Sequence, residues 1–366
     1  MGKMNKAPIG SMQVDVNPIL EQNRPLSPDD FVLASNEEKE NFIQVRPSMS
    51  YWQDAMRRLK KNKIAMVALG IIILLILFAF VGPVFVDYGY AQQIRGSENL
   101  APFAYSAKEI ELKAAGEKVF PHVFGTDGLG RDTLVRIMYG TRISMVIGVV
   151  ASLLVLIIGS IYGAISGYAG GMVDAIMMRI VELIYSVPDI LIVLLLATTM
   201  TPAINSFVNN NQSNPLAKLL STLGASLIAI FIAFALLYWV GMARIIRGQI
   251  LQLKQQEYVT AAKALGASGG HIIKRHLLPN CIGQIVATTC LQIPSAIFLE
   301  SFLSFLGNGV QAPMTSLGSM ASDALGGMYT YTYRLIIPAV ILSVMILSFN
   351  LFGDGLRDAL DPRLKK

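Results

Sequence analysis

Long apolar runs separated by polar segments dominate the pattern of this chain. Each run is long enough to cross the hydrocarbon core of a membrane as a helix, which takes about 20 residues. The runs do not alternate between apolar and polar positions, as the strands of a membrane barrel do. With approximate edges they cover 64–86, 143–167, 180–201, 219–243, 281–302 and 335–353. The pattern predicts an all-α polytopic membrane protein with six transmembrane helices.

The distribution of basic residues predicts the orientation of these helices. Ten Lys and Arg residues precede the first run, so the positive-inside rule places the N-terminus in the cytoplasm. Six crossings return the C-terminus to the cytoplasm. The basic segment 244–278 is then cytoplasmic, and 303–333, which has no Lys or Arg, is external. Segment 87–142 is predicted to be external although it carries seven basic residues, because the other loops agree with the rule.

Composition narrows the class of protein further. Of 366 residues, 53% are hydrophobic and 15% are charged, whereas about a quarter of a soluble domain is charged. The net charge of +6 comes mainly from basic residues beside the apolar runs, which argues against binding to nucleic acid. His271 and His276 have no Cys or carboxylate at ligand spacing, so no metal site is expected.

An amphipathic helix is predicted directly before the first run. Trp52, Met56 and Leu59 recur at helical spacing, and basic residues occupy the other face. The helix either anchors the chain at the lipid surface or contacts a partner subunit.

Polar residues 257–280 form an ordered island between two apolar runs. Its Ala-rich start predicts a helix over 257–265, ending at Gly266 in the left-handed conformation. A second helical piece is expected from about 268 to 277. The small side chains of Ala261 and Ala262 let another protein approach closely. The alternative is an amphipathic helix lying on lipid headgroups.

The spacing in this island resembles the coupling-loop motif of permease subunits in ATP-binding-cassette importers. That motif is conventionally EAA, three residues, G, nine residues, I, one residue, LP. Thr260 stands where the motif has Glu, and His276 stands where it has Ile. The residues that fall in register are Ala261, Ala262, Gly266, Leu278 and Pro279.

Three further segments, 125–144, 300–307 and 350–363, resemble the oligopeptide/dipeptide/nickel branch of that family. The resemblance covers residues 47–366. It implies a permease subunit of an ATP-driven, binding-protein-dependent importer in a bacterial cell membrane. Oligopeptides are the expected cargo, and dipeptides or nickel complexes are the alternatives. The residues implied in contact with an ATPase are Glu257, Ala261, Ala262, Gly266, Leu278 and Pro279.

The resemblance also implies the partners: a second related permease subunit, two cytoplasmic ATPase subunits, an extracytoplasmic binding protein and membrane lipid. The chain has no Walker-type loop, so ATP and Mg are expected on the partners and no catalytic residue or cofactor is expected here. The expected order is a flexible cytoplasmic tail (1–46), an interfacial helix (47–63), a first transmembrane helix (64–86), an external segment (87–142), a permease core (143–353) containing the coupling loop (244–278), and a cytoplasmic tail (354–366).

Four polar residues within the apolar runs are candidates for the translocation pathway. Asp189 follows Pro188 in the third run, and it either lines the cavity or caps a helix break there. Gln292, Glu300 and Asn350 either line a wet pathway or make hydrogen bonds between helices. A secondary transporter or channel, and a non-transporting membrane scaffold or sensor, are the rival functions.

Overall fold

The computed structural model describes residues 50–360, and the predicted tail 1–46 and residues 361–366 lie outside that range. Within it the chain is almost entirely helical and has no named strand, only an isolated bridge between Thr126 and Asp132. The helices, in chain order, are α1 (Tyr51–Lys61), α2 (Lys63–Phe80), α3 (Ala107–Ala114), α4 (Thr133–Ala169), α5 (Gly171–Tyr185), α6 (Asp189–Asn210), α7 (Pro215–Leu223), α8 (Ala225–Leu237), α9 (Trp239–Leu253), α10 (Glu257–Ala264), α11 (Gly269–Ile272), α12 (Leu278–Asn280), α13 (Ile282–Phe305), α14 (Leu317–Ala324) and α15 (Tyr333–Leu360).

Six candidate membrane spans lie in the described residues, as the apolar runs predict. Each is long and apolar enough to cross a membrane. The all-α, six-span fold class is thereby confirmed. The spans are Lys63–Phe80, Thr133–Ala169, Asp189–Asn210, Ala225–Leu253, Ile282–Phe305 and Tyr333–Leu360.

Two of the predicted runs are interrupted in the structure, and each interruption has a local cause. The predicted run 180–201 is interrupted at 186–188, where Pro188 lacks an N–H and disfavours helix in the residue before it. The run 219–243 is interrupted at Gly224, whose φ of 84° ends α7. The third span therefore begins at Asp189, and the fourth extends to Leu253.

Helix α4 is the longest helix of the described chain and packs closely on α9 through a glycine stripe. A Cβ on Gly159 would lie 2.8 Å from the carbonyl oxygen of Trp239, and one on Gly167 would lie 2.9 Å from that of Arg247. A Cβ on Gly163 would clash with the carbonyl oxygen of Ala243. Glycine is needed at all three positions because the two backbones approach so closely. The stripe is a contact within this chain.

The predicted apolar stripe of α1 is divided between two environments. Leu59 is 5% exposed and packs with residues at the end of α15, and the Tyr51 hydroxyl donates a hydrogen bond to the Leu360 carbonyl oxygen at 2.8 Å. Trp52 and Met56 are 51% and 52% exposed. One face of α1 is thus fixed to the protein, while two large side chains remain on its surface.

Residues 87–132, called the polar cap below, enclose a buried hydrogen-bond network. His122 is 0% exposed and lies between Asp132 Oδ2 (2.7 Å) and Glu109 Oε1 (2.9 Å). Ser106 and Glu109 form a capping box at the start of α3. Asp132 is also the N-cap of α4, accepting a hydrogen bond from the Val135 N–H at 2.9 Å. The network therefore joins α3 to the first turn of the central helix.

Candidate functional site

The first part of the predicted site is helix α10, which begins at Glu257 and ends as the sequence predicts. Gly266 has a φ of 80°. The N–H of Gly266 donates to the Lys263 carbonyl oxygen at 3.0 Å, and that of Ala267 donates to the Ala262 carbonyl oxygen at 3.1 Å. These two bonds form a Schellman motif, which requires the left-handed residue that glycine supplies. Gly266 therefore fixes the direction in which the chain leaves α10.

The second part of the site returns the chain to the membrane helices. The Ser268 side chain accepts a hydrogen bond from the His271 N–H and starts α11. A π-helical turn over Ile273–Leu277 follows, and Pro279 lies in α12, which directly follows that turn. The two helical pieces separated by Gly266 match the sequence prediction.

An apolar base holds the 257–280 segment on the membrane helices. Val259, Ile272 and Leu277 are each 0% exposed. They belong to one core cluster with Ile246 and Ile250 of α9. Since a packed core deforms little, a force applied to α10 is transmitted to α9.

The opposite side of α10 forms an open surface, called the 257–266 surface below. Ala261 faces outwards and is exposed, whereas Ala262 is half-buried against the apolar base. Leu265 is 89% exposed, which is unusual for a large apolar side chain placed beside a rigid turn. Leu265 is not among the site residues predicted from the sequence, although it directly precedes the helix-ending Gly266. Glu257, Gly266 and Pro279 are also exposed, and Leu278 is half-buried.

Two polar contacts join α9 to the turn between α4 and α5. The Arg247 Nε and Nη2 groups both donate to the Asp174 carboxylate at 2.6 Å. This bidentate pair, helped by a hydrogen bond from Ser166, holds the pKa of Asp174 below its ordinary value despite partial burial. The Lys254 ammonium donates to the Gly167 carbonyl oxygen at 2.7 Å. The base under α10 is therefore connected to α4 and α5 as well as α9.

A cavity of about 560 Å³ lies where α5 gives way to α6. Asp189 and Gln292 line it together with Tyr238. The Tyr238 hydroxyl donates to Asp189 Oδ2 at 2.9 Å, and the Ile190 N–H donates to Asp189 Oδ1 at 2.9 Å. The structure thus brings two of the four candidate pathway residues together, and Asp189 both begins a helix and faces a cavity.

The other two candidate pathway residues lie elsewhere. Glu300 is 0% exposed and does not line this cavity. Its carboxylate accepts hydrogen bonds from Ser144 at 2.8 Å and from Ser304 at 2.7 Å, which ties α13 to α4. This position matches the alternative role of a hydrogen bond between helices. Asn350 is exposed on α15.

The two histidines of the 257–280 segment lie close together, with ring centroids 6.1 Å apart. Across residues 50–360, however, no group of three or more His, Cys, Asp or Glu side chains is arranged to hold a metal ion.

Comparison with known proteins identifies the family of the chain. Residues 159–366 match the family described as the binding-protein-dependent transport system inner membrane component. Residues 50–102 match the N-terminal transmembrane domain of oligopeptide transport permease C.

Three curated relatives are similar to almost the whole chain. The dipeptide transport system permease protein of Bacillus subtilis is 42% identical over 94% of this chain and 96% of its own length. The oligopeptide transport system permease protein of the same species is 44% identical, covering 88% of this chain and 92% of the relative. Its counterpart in Escherichia coli is 38% identical, covering 90% of this chain and 97% of the relative.

Among solved structures, an inward-facing conformation of the MetNI methionine ABC transporter aligns with a TM-score of 0.44 and 18% identity, covering 63% of this chain and 96% of that chain. The family assignment rests on the sequence matches. The chain is a multi-pass bacterial membrane protein and belongs to the family of binding-protein-dependent transport system inner membrane components, the permease subunits of ATP-binding-cassette importers.

Proposed function

We propose that this chain forms half of the translocation pathway of an ATP-driven importer of oligopeptides, and that an ATPase subunit docks on the 257–266 surface. The docking proposal rests on one contrast in exposure. Ala261 and Leu265 are exposed, whereas the apolar base that holds α10 on the membrane helices is fully buried. A helix lying on lipid headgroups needs an apolar face towards the lipid, but the apolar face of α10 is occupied by its own protein.

The mechanism follows from the rigidity of this connection. Binding of ATP closes a pair of ATPase subunits, and each subunit carries its docked helix with it. Because Val259 and Leu277 are packed against α9, the movement of α10 is passed to the membrane helices as a rigid-body motion. The chain itself acts as a non-catalytic lever, and ATP and Mg are bound by the partners.

The proposed assembly contains a second related permease subunit, two ATPase subunits on the cytoplasmic side and an extracytoplasmic binding protein. This arrangement follows the cytoplasmic termini and the cytoplasmic segment 244–278 that the distribution of basic residues predicts. Membrane lipid surrounds the apolar spans, and their exposed side chains include Leu74, Ile157 and Leu195.

Oligopeptides are proposed as the cargo for two reasons. The family matched by residues 50–102 is described as part of oligopeptide transport permease C, and two of the relatives above are oligopeptide permeases. A dipeptide cargo is the second candidate, since the dipeptide permease of Bacillus subtilis is 42% identical.

The proposal is tested by purifying the native complex and reconstituting it into lipid vesicles with its binding protein. We expect uptake of radiolabelled penta-alanine that requires ATP. Uptake of di-alanine in preference to penta-alanine would establish the dipeptide alternative. Peptide uptake without ATP would favour a secondary transporter, and a complex that transports neither peptide and contains no ATPase would favour a scaffold or sensor.

A further inference from the structure

The cavity between α5 and α6 contains a carboxylate at the start of a membrane-spanning helix. Asp189 is the first residue of the Asp189–Asn210 span, and it shares the cavity lining with Tyr238 of the Ala225–Leu253 span and Gln292 of α13. A carboxylate in an apolar setting is costly unless it is paired or hydrated, so its partner indicates its role.

The partners that the structure gives Asp189 are neutral. One carboxylate oxygen accepts the Tyr238 hydroxyl and the other accepts a backbone N–H. None of the ion pairs found among residues 50–360 includes Asp189. Its side chain remains exposed to the cavity. The negative charge of Asp189 is therefore available to a cationic group that enters from outside the chain.

Two basic side chains of the adjoining helices α5 and α9 are engaged elsewhere. The Arg179 guanidinium pairs with Glu182 Oε2 at 3.0 Å. The Arg244 guanidinium stacks on the ring of Tyr185, 4.4 Å from its centroid, at the edge of the cavity. Neither of these cations neutralises Asp189.

A second polar group in the cavity also has room for a ligand. The Gln292 amide is half-buried and has no hydrogen-bond partner within the described residues. An amide can both donate to and accept from a peptide bond. The cavity volume of about 560 Å³ is within the range of small-molecule sites. The wall thus combines one unpaired negative charge with one neutral group that suits a peptide backbone.

We propose that Asp189 receives the α-ammonium group of a peptide during its passage, while Gln292 bonds to the adjoining peptide unit. This inference rests on the proposed function, because it takes the cargo to be a peptide. An unblocked peptide carries a positive charge at its N-terminus whatever its side chains. A single carboxylate can therefore serve cargo of varied sequence, and the Tyr238 hydroxyl keeps that carboxylate oriented towards the cavity.

The test measures equilibrium binding of two peptides to the purified, nucleotide-free complex without its binding protein. One peptide is radiolabelled tetra-alanine, and the other is propionyl-trialanine, in which hydrogen replaces the α-amino group. We expect the complex to bind tetra-alanine about tenfold more tightly, as a charged hydrogen bond provides. The D189N variant should lower the affinity for tetra-alanine to that for propionyl-trialanine, and D189E should retain the preference.

A matched control is E111Q, which makes the same kind of carboxylate-to-amide change on the exposed side of α3, outside the cavity lining, and should leave the preference intact. Three results would overturn the proposal: equal binding of the two peptides by the unmodified complex, a preference that survives in D189N, or equal weakening of both peptides by D189N. Equal binding is also the outcome if a basic residue of the second permease subunit neutralises Asp189. If the unmodified complex still takes up peptide when ATP is present, these results overturn the role of Asp189 and leave the proposed function standing.

Discussion

The 257–280 segment and the polar cap (87–132) both combine charged side chains with glycine turns. The charged side chains of the 257–280 segment face outwards, whereas a network of charged side chains in the polar cap is buried. In the 257–280 segment Val259, Ile272 and Leu277 are buried, while Glu257 and Lys263 face outwards. In the polar cap a charged network faces inwards, and His122 and Asp132 are 0% and 1% exposed. Buried polar groups that satisfy one another stabilise their own segment, whereas an ordered surface with exposed polar groups is available to a partner.

The polar cap extends this inward pattern to a second network. Asp127 accepts a hydrogen bond from Arg131 Nε at 2.6 Å and also pairs with Arg136 of α4. Arg136 reaches Asp323 of α14 at 3.2 Å. Burial opposes ionisation of Asp127, but the Arg136 charge and the hydrogen bonds from the Arg131 and Leu129 N–H groups together outweigh it, so the pKa of Asp127 lies below its ordinary value. The Arg136 guanidinium therefore joins two distant segments, those of Asp127 and Asp323.

The largest effect in this comparison is expected from D132A in the polar cap. The change removes the N-cap of α4 and leaves His122 without one of its two carboxylates. Breaking a buried pair costs about 3–5 kcal/mol, so hydrogen exchange should show residues 106–132 opening far more often. The control E111A, on the exposed side of α3, should leave exchange unchanged. Similar exchange in both variants would mean that the network does not hold the segment.

A smaller but more selective effect is expected from L265D on the 257–266 surface. Leu265 is 89% exposed, so the change should leave the fold intact while weakening ATPase docking by about 2 kcal/mol, the scale of an interface hot spot. Retention of the ATPase during purification measures the effect. The matched control is I110D in α3, where Ile110 is 57% exposed and retention should be normal. Equal retention in L265D and the unmodified chain would remove Leu265 from the docking surface.

Raising the pH should loosen the polar cap. Burial lowers the pKa of His122, but hydrogen bonds with Asp132 and Glu109 outweigh it, so the pKa lies above its ordinary value. Because the pKa of His122 is higher in the folded protein, the contacts of its charged form stabilise the fold fully below the pKa of the unfolded chain, about 6.5. This stabilisation is lost as the pH rises through the pKa of the folded protein. Hydrogen exchange between pH 6 and 9 measures the change. An H122Q variant should lose this dependence, and persistence of it would assign the titration to another group.

The smallest effect is expected from G266A. Since nothing lies within 4 Å of the added Cβ, only the strain of a φ of 80° remains, which costs about 1 kcal/mol. The thermal unfolding midpoint of the complex measures this cost. G270A is a matched control because Gly270 also has open space but lies in α11 without a positive φ. Equal destabilisation by the two variants would contradict the role of Gly266 as the end of α10.

Much of the fold and of the 257–280 segment was predictable because the determinants are local. Apolar length predicts the spans, and the alanines followed by Gly266 predict where α10 ends. Burial could not be predicted in the same way. Nothing in the sequence separates Ala261 from Ala262, yet one faces outwards and the other packs on the base. That difference depends on α9, which lies earlier in the chain.

Two of the carboxylates in the apolar runs illustrate the same limit. Asp189 and Glu300 are both candidates for the pathway from the sequence, with a helix cap as the alternative for Asp189 and a hydrogen bond between helices as the alternative for Glu300. The structure surrounds Glu300 with serine hydroxyls from α4 and α13, whereas Asp189 faces a cavity created by the break at Pro188. The break was visible in the sequence, but the serine partner from α4, 156 positions away, was not.

The docking of an ATPase on the 257–266 surface is tested most directly by photo-crosslinking in the native complex. A photoreactive amino acid is placed at Leu265, which is 89% exposed, and separately at Leu277, which is 0% exposed. We predict a crosslink from position 265 to an ATPase subunit, and crosslinks from position 277 only within this chain. An active importer in which position 265 crosslinks to lipid alone would contradict the account.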